Sequence, residues 1–164
     1  MSATLTQPPG APTRSEWLLA ELARPAAYPF PVQSVETRRT LLSLLFFAGE
    51  RVYKLKQELS LGFIDASTLA RRRFLCAEEL RLNARLAPRV YLGVVPITRA
   101  RDGHLQVGGD GEVLEWAVEM QRLPAERMLA RLLERGVIDN AQMNALVELL
   151  SEFHASAPVV SAAE

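Results

Sequence analysis

The sequence predicts an α+β fold, in which strands and helices occupy separate stretches of the chain. Segments with the alternating or short apolar patterns of strands fall into two groups, and one long helical pattern separates them. After Pro124 only helical patterns follow. Because strands and helices do not alternate regularly, an antiparallel sheet with helices beside it is favoured over a doubly wound parallel sheet.

Length and composition limit the class of protein. The 164 residues fit one domain, or one domain with a tail, and the hydrophobic (49%) and charged (23%) fractions are ordinary for a globular protein. Nineteen basic residues balance nineteen acidic ones, so a strongly basic nucleic-acid-binding protein is excluded and no nucleic-acid partner is expected. Cys76 is the single cysteine and cannot form an internal disulfide, which fits a reducing, cytoplasmic location.

No segment predicts a membrane partner. The longest apolar run, Leu41–Ala48, is interrupted at Ser43 and is far too short to cross a hydrocarbon core of about 30 Å. The first residues contain no basic stretch followed by an apolar one, so no secretory signal is expected.

Residues 1–33 are predicted to form a flexible, proline-rich leader. Within it, Arg14–Ala23 is compatible with a short amphipathic helix that has Trp17, Leu18 and Leu22 on one side. Further prolines disfavour regular structure until about Val35.

A β-hairpin is predicted next. Leu41–Ala48 is typical of a buried strand, Gly49-Glu50 of a tight turn, and Arg51–Leu59 of the returning strand. Side chains alternate between the two faces of a strand. One face of the returning strand therefore carries Val52, Lys54 and Lys56.

A long helix follows, capped by Asp65 or Ser67 and extending to about Leu86. One broad arc of this helix carries the apolar residues Leu75, Cys76, Leu80, Leu82 and Leu86. Glu79 falls inside that arc, whereas Glu78 lies at its edge. An ionised glutamate on an apolar arc needs a charged partner or a raised pKa, so Glu79 is a candidate functional residue.

The rest of the chain predicts more strands and then two helices. Tyr91–Ile97 is a third strand, and His104–Val107 with Glu112–Gln121 forms a second hairpin around the glycines at 108, 109 and 111. A helix is predicted over Ala125–Arg135, ended by Gly136, and a last one extends from a capping box at Asp139 to about Ala155. These patterns divide the chain into residues 34–124, 125–157 and a tail at 158–164.

Several common functional sites are excluded by the sequence. There is no GxxxxGK[ST] phosphate loop and no GxGxxG, and the two histidines are far apart, so no metal site is expected. Cys76, in the middle of a helix, is better explained as a small buried side chain than as a nucleophile. The run Arg71–Arg73 is typical of a solvated helix face.

The remaining constellation fits nucleotide binding. Of nineteen basic residues only two are lysine, Lys54 and Lys56, and they share one strand face. Val52 on that face can pack on an adenine ring, while Lys54 reaches the phosphates and Glu79 of the helix orients it. The strand end at 119–124 can then offer backbone groups to the base.

Five blocks of the sequence resemble one family. They are RVYKLK at 51–56, LGFIDASTL at 61–69, RRRF at 71–74, EELRLNARLAP at 78–88 and YLGVVPI at 91–97. With them, residues 30–157 resemble the aminoglycoside phosphotransferase-type, protein-kinase-like domain of bacterial proteins in which this domain precedes a P-loop ATPase domain related to gluconate kinase. The resemblance implies a kinase-like amino-terminal lobe, with two helices that begin a second lobe.

The resemblance also implies roles for individual residues. Lys54 would bind phosphate, with Lys56 as the alternative, and Glu79 would be its helix partner, with Glu78 as the alternative. The nucleotide-binding set is Val52, Lys54, Glu79, Met120, Gln121 and Leu123, of which the last three belong to the hinge. ATP and Mg²⁺ are the implied cofactors, and a small hydroxylated molecule is the implied acceptor.

The chain departs from the family pattern in three places. Arg38 stands where the family has histidine, and Gln57-Glu58 where it often has Lys-Pro. No His-Gly-Asp catalytic loop or metal-binding aspartate is present, so no catalytic residue is assigned and the chain alone is expected to be an inactive fragment. Its last helices would then leave an apolar face for self-association or for a missing second lobe. The alternative function is a non-catalytic binding or interaction module derived from the same lobe.

Overall fold

The structure is a computed structural model that describes residues 12–159. The predictions for residues 1–11 and 160–164 lie outside the described part. The chain divides into two compact units between Arg122 and Leu123, close to the predicted boundary after Pro124.

The first unit is built on a six-stranded antiparallel sheet, which confirms the α+β class. The strands of this sheet are β1 (Val35–Arg39), β2 (Ser43–Ala48), β3 (Arg51–Lys56), β6 (Tyr91–Arg99), β7 (Leu105–Val107) and β8 (Glu112–Gln121). Their order across the sheet is β1-β2-β3-β8-β6-β7. A separate small ribbon consists of β4 (Ser60–Leu61) and β5 (Ile64–Asp65).

The predicted first hairpin is confirmed as β2 and β3. Gly49 in its turn has a φ of 57°, a conformation that glycine adopts without strain. β3 ends at Lys56 and not near Leu59. The backbone N–H of Gln57 still donates to the carbonyl of Leu42, the next register partner in β2, and no further pairing with β2 follows. β1, which the sequence did not predict, pairs with β2 and covers its outer edge.

The predicted second hairpin is wrong in its pairing. β7 and β8 do not pair with each other, because both pair with β6, which lies between them. The segment 108–111, which contains three glycines, therefore crosses β6 near its end and connects the strands on its two sides. A Cβ on Gly111 would lie 2.0 Å from the carbonyl oxygen of Arg99 in β6, so only glycine fits there.

We expect Gly111→Ala to lower the free energy of unfolding by about 1–3 kcal/mol, because the added methyl group must push apart two backbone segments. Gly62→Ala is the matched control, since nothing lies within 4 Å of a Cβ at that position. Urea unfolding of both variants tests this expectation, and equal midpoints would contradict the close approach of Gly111 to the backbone of Arg99.

One face of the sheet is covered by α1 (Arg14–Leu22) and the segment that follows it. Leu18, Leu22 and Tyr28 share a buried apolar core with strand residues that include Tyr53 and Leu55. The expectation of a flexible leader over 1–33 is therefore wrong for residues 14–30, although the helix itself was predicted. A capping box of Thr13 and Glu16 starts α1, and Pro25–Ala27 forms a 3-10 turn instead of an open chain.

The opposite face of the sheet is covered by α2 (Leu69–Asn83). Lys54 and Lys56 alternate with Tyr53 and Leu55 along β3, so the two lysines lie on this opposite face, where they contact α2. Thr68 caps α2, in place of the predicted Asp65 or Ser67. The side chain of Asp65 instead accepts hydrogen bonds from Ser67.

The predicted apolar arc of α2 is only partly buried. Cys76 is buried as predicted, but Leu82 is exposed and so is Leu86, which lies beyond the end of the helix at Asn83. The other buried residue of α2 is Arg72. Positions 72, 76 and 79 share one side of a helix, so α2 meets the sheet through a largely polar face.

The second unit contains helices only. Residues Ala125–Arg127 form a 3-10 turn, followed by α3 (Leu129–Glu134) and α4 (Asn140–Ala155), so the single helix predicted over Ala125–Arg135 is split. The capping box of Asp139 and Gln142 is confirmed. No described residue of this unit is buried. None of the helices in the described part of the chain is long and apolar enough to cross a membrane.

Candidate functional site

The candidate site lies where β3 faces α2. Lys54 donates a hydrogen bond of 2.7 Å from Nζ to Oε1 of Glu79, and Lys56 donates from Nζ to the other oxygen, Oε2. The side chains of Lys54, Lys56 and Glu79 are 28%, 12% and 10% exposed. Two ammonium groups therefore share one carboxylate, and the cluster carries a formal charge of +1.

The structure separates the two candidate glutamates. Glu79 points towards β3, whereas Glu78 pairs with Arg81 on the outer side of the same helix, with an Oε2–Nη2 distance of 2.7 Å. The Glu79 backbone carbonyl also accepts a hydrogen bond from Asn83 Nδ2 at 2.9 Å. Glu79 is thus the helix partner of Lys54, and Lys56 is a second partner of Glu79 and not merely a substitute for Lys54.

The lysines keep Glu79 ionised. Burial would raise the pKa of this carboxyl group, but the hydrogen bonds from Lys54 and Lys56 outweigh burial and hold the pKa below its ordinary value. Tyr91, at the start of β6, lies close enough to respond to the same charges. Burial raises the pKa of its phenol, and the negative charge of Glu79 adds to that effect.

Apolar residues continue the same sheet face towards one end. Val52 lies opposite Met120 of β8, and Met120 lies opposite Tyr91 of β6. Residues directly opposite one another in an antiparallel sheet project to the same face. Lys54 is two residues beyond Val52, so the face presents an apolar end followed by positive charge.

Of the predicted hinge residues, Met120 and Gln121 belong to β8 of the first unit. Gln121 is the last residue of β8, and its backbone N–H donates to the carbonyl of Val90 at 2.8 Å. Its side chain accepts a hydrogen bond from Arg51 Nη1 at 2.8 Å. Because the backbone N–H of Gln121 already donates to Val90, the backbone group of Gln121 that could contact a ligand is its carbonyl. Leu123 belongs to the second unit and is exposed.

A buried ion pair that the sequence did not predict holds α2 against β8. Arg72 donates from Nε to both oxygens of Glu115, at 3.0 and 2.8 Å, and the two side chains are 3% and 1% exposed. Arg72 also donates from Nη1 to the carbonyls of Ala66 and Ser67. Since Arg72 and Glu79 lie two turns apart on one side of α2, this pair fixes the helix that carries Glu79.

Residues from both α1 and α2 contact Glu115, which lies beyond the point where β3 stops pairing with β8. The pairing of β3 with β8 ends at Leu55 and Ala117. Arg14, at the start of α1, approaches Glu115 from the opposite face, with an Nη2–Oε2 distance of 3.3 Å, and donates from Nη2 to the carbonyl of Leu114. A pattern of alternating exposed and buried positions does not reveal such a contact.

The other titratable residues give no second site. Burial raises the pKa of the Cys76 thiol to about 12, which agrees with a packing role. Within residues 12–159 no three acidic, histidine or cysteine side chains are grouped so as to hold a metal ion. Of the four aspartates, Asp65, Asp102 and Asp139 accept hydrogen bonds from nearby groups in turns or caps, and Asp110 lies in the turn after β7.

The chain is similar to uncharacterized proteins of Mycobacterium bovis and of two strains of Mycobacterium tuberculosis. In each case 29% of 120 aligned residues are identical, and the aligned part covers 73% of this chain. It covers only 22% of each relative, so this chain spans a small part of the length of the curated relatives that it matches. No protein-family model and no solved structure matches the chain.

Proposed function

We propose that this chain is the nucleotide-binding lobe of a phosphotransferase of the aminoglycoside phosphotransferase-like, kinase-like type, which uses ATP to phosphorylate a small hydroxylated acceptor. The observation that carries the proposal is the ion pair between Lys54 on the third strand and Glu79 on the helix that follows. In protein kinases a lysine on the third strand pairs with a helix glutamate and contacts the ATP phosphates.

The order of groups on the sheet face supports the same assignment. A nucleotide has an apolar ring at one end and an anionic chain at the other. Val52 and Met120 can contact the ring, and Lys54 lies about 7 Å further along the strand, a step of two residues, in the direction that the phosphates would take. The carbonyl of Gln121 lies at the ring end.

Binding and positioning are the functions that the described residues can supply. Lys54 would neutralise phosphate charge, and Glu79 would hold its ammonium in place. Within the described residues no three acidic, histidine or cysteine side chains are grouped to hold a metal ion. Mg²⁺ bound to the ATP phosphates would neutralise part of their charge. The connection between β1 and β2 contains no glycine, unlike the glycine-rich loop that covers the phosphates in kinases.

Isothermal titration calorimetry with Mg-ATP tests the proposal, and two neighbouring substitutions test the position of the base. Met120→Trp should weaken binding at least tenfold, about 1.4 kcal/mol, because the indole fills the space beside Val52. Gln121→Ala should have little effect, because only its backbone would face the base. No saturable binding by the natural chain would refute the proposed function.

If Gln121→Ala weakens binding and Met120→Trp does not, the base lies elsewhere on this face. Circular dichroism of both variants shows whether the sheet is intact.

A further inference from the structure

Glu79 has one more counter-ion than a simple pair requires. Lys54 and Lys56 each donate to a different oxygen of its carboxylate, so neither contact displaces the other. The two lysines are not equivalent. Lys56 is the more buried of the two, whereas Lys54 is the more exposed and lies nearer to Val52 and Met120.

A bound phosphate would compete with Glu79 for the charge of Lys54. An ammonium has three donors, and those that turn towards phosphate oxygens are lost to the carboxylate. If Lys54 were the sole counter-ion, Glu79 would lose most of its charge compensation at a position where its side chain is only 10% exposed. An unpaired carboxylate in such a site either destabilises the folded chain or takes up a proton.

We propose that Lys56 is a positioning residue, which remains on Oε2 of Glu79 as a fixed counter-ion while Lys54 turns towards the phosphates. This inference rests on the proposed function and assigns separate tasks to the two lysines. In the bound state Lys56 and Glu79 form a neutral pair, and the whole charge of Lys54 is available to the ligand.

The surroundings of Glu79 are consistent with this division. The charged groups that face it from β3 are Lys54 and Lys56 alone, and from β6 the phenol of Tyr91 is the titratable neighbour. On α2 the nearby titratable group is Cys76, which its raised pKa keeps neutral. No other cation among these neighbours can replace Lys56.

Lys56→Met, which keeps an unbranched side chain as far as Cε and removes the charged ammonium, provides the test. We expect Mg-ATP binding by this variant to be accompanied by uptake of up to one proton at about pH 6.5, because Glu79 is protonated when Lys54 turns away. The affinity of the variant should then rise as the pH falls. The natural chain should take up fewer protons under the same conditions, since Lys56 keeps Glu79 ionised.

Calorimetric titration in two buffers with different ionisation enthalpies measures the proton uptake. Lys56→Arg, which restores a positive charge, should return the uptake to the level of the natural chain. The double variant Lys56→Met with Glu79→Gln should also show no extra uptake, because glutamine does not titrate. Equal proton uptake by the natural chain and Lys56→Met would overturn the inference.

The double variant Lys56→Met with Glu79→Gln also tests the inference if Lys56→Met alone does not fold. If Lys56→Met is unfolded, we expect Glu79→Gln to restore folding, because it removes the charge that Lys56 balances. A double variant that is as unstable as the single one would contradict the inference. The proposed function fails separately: in that case the natural chain does not bind Mg-ATP at all.

Discussion

Replacing Lys54 by alanine is expected to lower the affinity for Mg-ATP at least a hundredfold, about 2.8 kcal/mol. The ammonium of Lys54 is the more exposed charge beside the apolar end of the site, and no other lysine is placed to replace it while Lys56 is held by Glu79. Lys54→Arg should also impair binding, because the broader guanidinium cannot act as a compact point charge. Calorimetric titration measures the loss.

Neighbouring glutamates provide the control for this prediction. Glu79→Gln should weaken Mg-ATP binding less than Lys54→Ala does, because it disturbs the orientation of Lys54 and not a contact with the ligand. Glu78→Gln should leave binding unchanged, since Glu78 pairs with Arg81. If Lys54→Ala and Lys54→Arg both bind Mg-ATP as tightly as the natural chain, Lys54 does not contact the phosphates. If Glu78→Gln and Glu79→Gln weaken binding equally, Glu79 is not the residue that orients Lys54.

The second large effect is expected at Glu115. Glu115→Gln should lower the free energy of unfolding by about 3–5 kcal/mol, because the buried guanidinium of Arg72 loses its close carboxylate and keeps only the half-exposed Glu58, at 3.8 Å. Arg14 loses the same partner. Thermal or urea unfolding followed by circular dichroism measures the change. Glu112→Gln, at an exposed position of the same strand, is the control and should leave the free energy of unfolding unchanged.

An apolar replacement of the whole pair separates charge from packing. In Arg72→Met with Glu115→Met neither charge is left buried, so the double variant should be more stable than Glu115→Gln. A Glu115→Gln variant as stable as the natural chain would show that this ion pair does not hold α2 against β8.

The features predicted correctly from the sequence have local causes. Gly49 supplies the turn between β2 and β3, and Asp139 with Gln142 supplies the cap of α4. The pairing of Lys54 with Glu79 was predictable because the period of two residues fixes the face of a strand residue. The position of Glu79 within an apolar arc then pointed to the sheet as the side on which its partner lies.

The features that were missed depend on contacts between distant segments. The pairing of β7 and β8 with β6 is set by the order of strands, whereas the glycines at 108–111 indicate only a turn. Arg72 belongs to a run of three arginines that is typical of a solvated face, and its burial requires Glu115 from a strand 43 positions away. Likewise, sequence analysis leaves Lys54 and Lys56 as alternatives for the phosphate-binding residue, and only the tertiary structure shows that both contact the carboxylate of Glu79.

Amine labelling tests the central claim most directly, because Lys54 and Lys56 are the only lysines in the chain. The natural chain is treated with an amine-acylating reagent at increasing Mg-ATP concentrations, and mass spectrometry reads the modification of each lysine. We predict that Mg-ATP slows the acylation of Lys54 in a saturable manner, with AMP at equal ionic strength much less effective. Acylation of Lys54 at the same rate with and without millimolar Mg-ATP, in a folded chain, would contradict a nucleotide site at Lys54.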